Sequence, residues 1–230
     1  MGTNIPTPNP TKENKGRIDF SLDYHAHVLP GCDHGSDGLK TSLAQLALAQ
    51  AAGIRTLCAT SHFYPHRESM ESFLARRQDA FACLRENLPE RSPRVLLGAE
   101  VLICDGMDRM ENLPRLCLEG TSELLLELPF YQWSRTIWDT IFQLSEREDV
   151  RIVIAHADRY RADDIEQLIR EGIPLQLNAA CMMHPLRRGR YFSWIDRGYV
   201  KYFGSDIHGT QTGYRQWEKC KKILTKRGSG

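Results

Sequence analysis

Seven short apolar runs, each ending at a residue able to hold a metal ion or accept a hydrogen bond, most narrowly limit how this 230-residue chain can fold. They lie near residues 18–26, 54–60, 94–101, 123–129, 151–156, 174–179 and 200–205, rich in the Val, Ile and Leu of parallel strands buried on both faces. Stretches 39–52, 68–87, 134–148, 162–171 and 213–225 carry helical period or composition between them, and 105–118 and 187–198 are expected to be helical in part. Strand and helix in alternation describe a mostly parallel sheet wrapped by helices. The expectation is an α/β chain folded as one barrel domain over residues 17–227, preceded by a flexible, proline-bearing arm at 1–16 and followed by a tail at 228–230.

The ends of the runs carry the chemistry. Asp23-Tyr24-His25-Ala26-His27 closes the first, and residues two apart on a strand share a face, so the two imidazoles project together. His62 follows the second run, Glu100 ends the third, Glu127 sits late in the fourth and His156 ends the fifth. Asn178 ends the sixth, and Asp206 and His208 close the seventh. In a parallel barrel these carboxyl ends share one rim, where such folds keep their active sites. A carboxylate such as Glu127 inside an apolar strand costs several kcal/mol unless a cation or strong donors meet it. A metal ion answers that need.

Composition narrows the alternatives. Lys and Arg number 30 against 29 Asp and Glu, so no global basic excess points to nucleic acid, and recognition of an anion must be local. Seven scattered cysteines with no C-x-x-C pair fit free thiols in a cytoplasmic protein better than a disulfide framework. Nor is there an apolar stretch long enough to span a membrane, or an apolar core to a secretion signal.

In order, the motifs His25-x-His27, Ser61-His62, Gly98-Ala99-Glu100, Glu127, His156-Ala-Asp-Arg159-Tyr160 and Ser205-Asp206-Ile-His208 resemble the PHP (polymerase and histidinol phosphatase) superfamily. Within it, the opening Asp23-Tyr-His25-Ala-His27-Val-Leu-Pro30-Gly31-Cys-Asp33-His34-Gly35 is similar to that of the CpsB/CapC/YwqE-type bacterial protein-tyrosine phosphatases, and the resemblance spans residues 17–210. It implies a distorted seven-stranded TIM-like barrel holding two or three divalent ions (Mn, Fe or Zn). It also implies hydrolysis of phosphate monoesters, above all protein phosphotyrosine in capsule and exopolysaccharide regulation, with a phosphorylated bacterial tyrosine kinase as a candidate substrate.

Carried over residue by residue, the resemblance gives one ion to His25, His27, Glu100 and Asp206. Glu100 then bridges to a second held by Glu127 and His156, and His34, His62 and His208 hold a third. Where the phosphatases have Asp-Asp-Gly this chain has Asp33-His34-Gly35, so His34 stands at the ligand position with Asp33 as the alternative. Imidazole there makes a softer, nitrogen-rich subsite favouring Zn or Fe over Mn. The Cys32-Asp33-His34 stretch also resembles the histidinol-phosphatase branch, so a small phosphate ester or a phosphodiester is the alternative substrate, and a metal-binding protein without activity the third reading. Hydroxide held between metals is the expected nucleophile, with Arg159, Asp206 and His208 acting in catalysis. Arg159 is the expected phosphate clamp, its alternative an ion pair with Asp158 or Asp163. The family's second arginine has no counterpart directly after His208; Arg215 lies further on, and His66, in a rim loop, is a further substrate contact. Phe63, Tyr64, Phe130, Tyr131 and Trp133 follow the second and fourth runs and can grip a phenyl ring or cover the core. Cys58 and Cys181 read as small buried hydrophobes, and the basic run Arg187-Arg188-Gly189-Arg190 as a solvated loop or an anion-attracting one.

Overall fold

A computed structural model describes residues 18–210 and 213–228; the arm expected over 1–16 and the last two residues of the expected tail lie outside the described residues. The strands are β1 (Leu22–Ala26), β2 (Thr56–Ala59), β3 (His62–Phe63), β4 (Arg94–Leu97), β5 (Glu100–Leu102), β6 (Glu123–Glu127), β7 (Arg151–Ile154), β8 (Leu175–Asn178) and β9 (Val200–Gly204). The helices are α1 (Leu39–Ala51), α2 (Met70–Glu86), α3 (Arg135–Ser145), α4 (Ala162–Arg170), α5 (Arg188–Asp196) and α6 (Gly213–Gly228). Serine side chains cap two of them, Ser69 accepting from the Ser72 N–H at 3.1 Å and Ser134 from the Ile137 N–H at 3.3 Å. Helical expectation holds at 187–198, which contains α5, whereas 105–118 forms only the short 3-10 turns Met107–Arg109 and Leu113–Leu116.

All strand pairs are parallel, and they form two sheets, β1-β2-β4 and β3-β5-β6-β7-β8-β9, rather than one continuous seven-stranded sheet. The third apolar run breaks in two at Gly98-Ala99, and the second run, β2, is followed across Thr60-Ser61 by β3, which lies beyond it. Both breaks lie at the same level: Ala59 pairs with Leu97 before the break and His62 with Glu100 after it, in unchanged register. Backbone bonds continue through the kink, Gly98 N–H to Ala59 O at 3.0 Å and Glu100 N–H to Ser61 O at 3.1 Å. At the other margin, Asp206 N–H donates to His25 O at 2.7 Å and His27 N–H to Ile207 O at 3.3 Å, joining the first strand to the segment after the last.

Side-chain alternation sorts the core into two. Leu124, Leu126, Ile152 and Ile154 face the helices in the large cluster, while Leu125, Val153, Tyr24, Cys58, Leu118 and Ala155 pack inside the curved sheets. On β6 the inward column is therefore Glu123, Leu125, Glu127, with a carboxylate at each end. Cys58 and Cys181 are buried free thiols, as are Cys32, Cys117 and Cys220, and burial pushes the Cys117 and Cys220 thiols up to about 12.

Two close approaches seat the histidines. A methyl group at Gly204 would meet the His25 Cβ and lie 2.7 Å from Gln176 Nε2, and one at Gly35 would meet the His27 Cβ and backbone oxygen. Gly204→Ala should therefore lower stability by about 1–3 kcal/mol in urea unfolding, as overpacking does. Gly98→Ala, whose added carbon would lie no nearer than 3.4 Å to any neighbour, is the matched control and should change little.

Candidate metal centre

His25, His27, His62, Glu100, Glu127, His156, Asp206 and His208 come from six segments of the chain and meet at the carboxyl ends of the strands. Their ligand atoms form three overlapping groups, each within 4.8 Å: His25, His27 and Asp206; His62, Glu100 and Glu127; and His27, His62 and His208. Glu100, fully buried, stands at the centre. Its Oε2 lies 3.1 Å from His25 Nε2, 3.2 Å from His27 Nε2 and 3.0 Å from His62 Nδ1, and its Oε1 lies 2.8 Å from His156 Nε2.

Proton placement decides what this arrangement can hold. The His156 backbone N–H donates to Gln176 Oε1 at 2.6 Å, which fixes that atom as the acceptor of the amide. His25 Nδ1, 3.1 Å from the same oxygen, must then carry its proton. His27 Nδ1 faces Asp33 Oδ2 at 2.8 Å and carries its proton too. In the neutral rings both Nε2 atoms are consequently bare acceptors, yet they face each other at 3.1 Å with the oxygens of Glu100 and Asp206 alongside. Glu100 Oε2, Glu127 Oε2, His62 Nδ1 and His156 Nδ1 are buried without a hydrogen-bond partner among the described residues. Converging lone pairs repel unless a proton or a cation lies among them, and imidazole plus carboxylate is the donor set of Zn, Fe and Mn. The residues present fit divalent metal.

The electrostatics agree. Burial opposes charge on His25 and His27, but the carboxylates of Glu100 and Asp206 outweigh it for the first and those of Asp206, Asp33 and Glu100 for the second, so both are drawn above the usual imidazole range. Burial instead pushes His62 down to about 3, leaving it neutral. Glu127, buried and beside the Glu100 carboxylate, is pushed up to about 7. The carboxylates of the pocket thus draw positive charge toward themselves.

Supporting groups hold each ligand. Asp33 spends both oxygens on the His27 ring, the Gly35 N–H at 2.9 Å and the His62 N–H at 3.0 Å. His34, exposed, stacks its ring 4.8 Å from that of His62 and 4.6 Å from that of His208, and Gly209 N–H to Gly35 O at 2.6 Å ties the two loops together. Asn178 Nδ2 donates to Asp206 Oδ2 at 2.9 Å. The Arg159 guanidinium, half exposed, pairs with Asp206 and not with Asp158 or Asp163; Asp158 accepts the Asn178 N–H at 2.8 Å. Asp23 turns away from the histidine pair it precedes and accepts from the Ser205 N–H and the Tyr214 hydroxyl, both at 2.8 Å, where β1 departs from regular pairing. His66 and Arg215 are exposed: His66 accepts from Arg67 Nε at 3.3 Å, and Arg215 occupies the first turn of α6. His156 and Asp206, with φ of 30° and 50°, are the described non-glycine residues in left-handed backbone, strain concentrated on two of the site's own residues. Sequence reasoning passed over Gln176, although an amide inside the fully buried run Leu175–Asn178 was a readable signal.

The chain belongs to the CpsB/CapC family of capsular polysaccharide synthesis proteins, whose family model matches residues 21–229. It is 25% identical over 228 residues to the tyrosine-protein phosphatase CpsB of Streptococcus pneumoniae, covering 90% of each chain. Its fold is similar to that in crystal structures of YwqE from Bacillus subtilis and CpsB from Streptococcus pneumoniae, described as unique metal-dependent tyrosine phosphatases. The TM-score is 0.73 at 22% identity, over 89% of this chain and 86% of the other. A putative histidinol phosphatase from Listeria monocytogenes shares the fold more loosely, with TM-score 0.50 and 15% identity over 84% of this chain and 98% of the other.

Asp33→Ala and Gln176→Leu, which free the His27 and His25 rings without removing either, should each weaken retention of divalent metal by about 10–100-fold, the usual effect of losing such a support. Metal analysis after equilibrium dialysis, with circular dichroism to verify the fold, measures it.

Proposed function

We propose that this chain is a metal-dependent phosphatase acting on protein phosphotyrosine. The observation carrying the reading is the ring of buried imidazole nitrogens and carboxylate oxygens converging around Glu100 at an open mouth. The family and the CpsB relative support the reaction class. The mouth is open because Arg159 is half exposed and His34, His208, Phe130 and Tyr131 are exposed, which suits a side chain presented on a protein better than a small ester enclosed in a deep pocket. The substrate class is a tyrosine-phosphorylated protein, a bacterial tyrosine kinase among the candidates, in capsule or exopolysaccharide regulation.

In this reading two or three divalent ions, Mn, Fe or Zn, take the three ligand groups. His25, His27, Asp206 and Glu100 would hold one; Glu127 and His156, with Glu100, would hold a second; and His34, His62 and His208 would hold a third. Bound there, such ions supply charge neutralisation for phosphoryl oxygens and a water ionised near neutral pH. Asp33 and Gln176 hold His27 and His25 in the tautomer that offers Nε2 inward. Arg159, pre-set by Asp206, presents the planar fork that matches two phosphoryl oxygens. Asp206 thus acts twice, on the cluster and on the clamp, and His208 closes the same lip. Arg215 and His66 are assigned to the approach of the substrate protein. No thiol takes part, since the buried cysteines are held protonated and the sequence has no cysteine-arginine phosphate loop.

The two sheets are read as one distorted seven-stranded barrel forming a single domain over residues 17–227, supported by the unbroken register at the kink and the bonds between β1 and the segment after β9. Among the described helices none is long and apolar enough to cross a membrane, and the seven free cysteines support a cytoplasmic place for the enzyme.

Turnover of a phosphotyrosine peptide tests the proposal. Chelation should abolish it, added Mn, Fe or Zn should restore it, and thiol alkylation should leave it unchanged. Arg159→Ala should raise KM by about tenfold while lowering kcat less, as loss of a contact made equally in ground and transition states does. Full turnover after exhaustive metal removal, or a trapped phosphocysteine, would overturn the mechanism.

A further inference from the structure

Phe130 and Tyr131 are large apolar side chains left 65% and 70% exposed in the loop after β6, next to the centre. One exposed aromatic is ordinary on a protein surface. Phe130 differs in being held. Its ring lies 5.7 Å from that of His156 and 5.6 Å from that of Tyr160, near parallel to both. Beneath, Trp133 packs edge-on against Tyr160 at 5.5 Å, and Trp133 Nε1 donates to Pro129 O at 2.8 Å, closing the loop that carries Phe130. The Leu128 N–H donates to the Tyr160 hydroxyl at 2.9 Å, which fixes the other side of the column. A second ring, that of half-buried Tyr64, stacks 5.1 Å from His62. Both supporting imidazoles face one carboxylate, His62 Nδ1 at 3.7 Å and His156 Nε2 at 3.8 Å from Glu127.

We propose that Phe130 is a specificity-determining residue, the wall against which the aromatic ring of an aryl phosphate lies, with Tyr64 marking the other side of the same mouth. The inference rests on the phosphatase reading for its substrate and adds the residue that selects aryl over alkyl esters. The phosphoryl group belongs at the Glu100 cluster and Arg159, and the carbon bonded to its ester oxygen then emerges beside His156, where Phe130 offers a fixed face. An alkyl phosphate reaches the same cations and arginine but leaves Phe130 uncovered. Offset stacking is the geometry expected of the two rings.

Binding of phenylphosphonate and methylphosphonate to the metal-loaded protein, measured by calorimetry, tests this without requiring turnover. Wild type should bind the phenyl compound about tenfold more tightly, the size of one good ring contact. Phe130→Ala should reduce that preference to about twofold or less while leaving methylphosphonate affinity unchanged, and Phe130→Trp should keep it. A preference surviving in Phe130→Ala, loss of both ligands together, or no preference in wild type would overturn the inference. Phosphotyrosine turnover is run alongside: a protein that prefers phenylphosphonate yet hydrolyses no phosphate ester fails the phosphatase reading and keeps this one.

Discussion

A single buried carboxylate, that of Glu100, sets the terms for the rest of the molecule. Four imidazole nitrogens lie within 3.2 Å of its two oxygens, and they arrive from β1 and the residue just after it, from β3 and from the end of β7. His156 Nε2 hydrogen-bonds Oε1 at 2.8 Å, but Oε2 is left without a hydrogen-bond partner among the described residues, with Gln176 and Asp33 engaging the outer nitrogens of His25 and His27. The fold thereby presents a candidate ligand site. Apolar burial closes the sheets, while the pocket gathers ligand atoms that fit a cation; a cation bound there would link stability to metal occupancy, as in other proteins whose binding site does not exist in the unfolded chain.

The backbone yields locally to make this possible. His62 and Glu100 pair directly across β3 and β5, beyond breaks that lie at the same level after β2 and β4, so the kink carries the two candidate ligands past it together. Gly35 and Gly204 are small where the His27 and His25 stems press against them. The left-handed backbone at His156 and Asp206 is a further concession. Such departures from regular geometry cluster where function needs them and are held in place by the surrounding core.

Much of this was legible in the residues. Strand ends were readable because doubly buried strands are almost entirely Val, Ile and Leu, against which His156, Glu127 or Asp206 stands out. The helical stretches were readable from period and from stops such as Gly53. The breaks at Thr60-Ser61 and Gly98-Ala99 were not, because a kink that preserves register leaves the hydrophobic pattern intact and only removes a few hydrogen bonds. Asp33 could not be separated from His34 by sequence: both are ligand types, and only the geometry shows both Asp33 oxygens already engaged. Arg159 was similarly open, since Asp158 and Asp163 are its neighbours in sequence while Asp206, its partner, is brought to it by the β8–β9 side of the sheet.

Strand β6 shows most directly why one end of the interior reads as a site and the other as structure. Its inward column carries Glu123 and Glu127, both buried, separated by Leu125. Glu123 accepts from the Tyr24 hydroxyl at 3.0 Å and the Tyr202 hydroxyl at 2.9 Å and pairs with Lys201, while the Tyr24 and Tyr202 rings stack 3.8 Å apart above it. Every oxygen there has a donor made by the chain. Glu127 has one oxygen with no partner and two imidazole nitrogens 3.7 and 3.8 Å away, beyond hydrogen-bond reach. Burial is the same and the residue type is the same, so the difference lies wholly in donors. A fold that supplies tyrosines and a lysine to one carboxylate and leaves the buried Oε2 of the other without a donor among the described residues makes the second the candidate ligand.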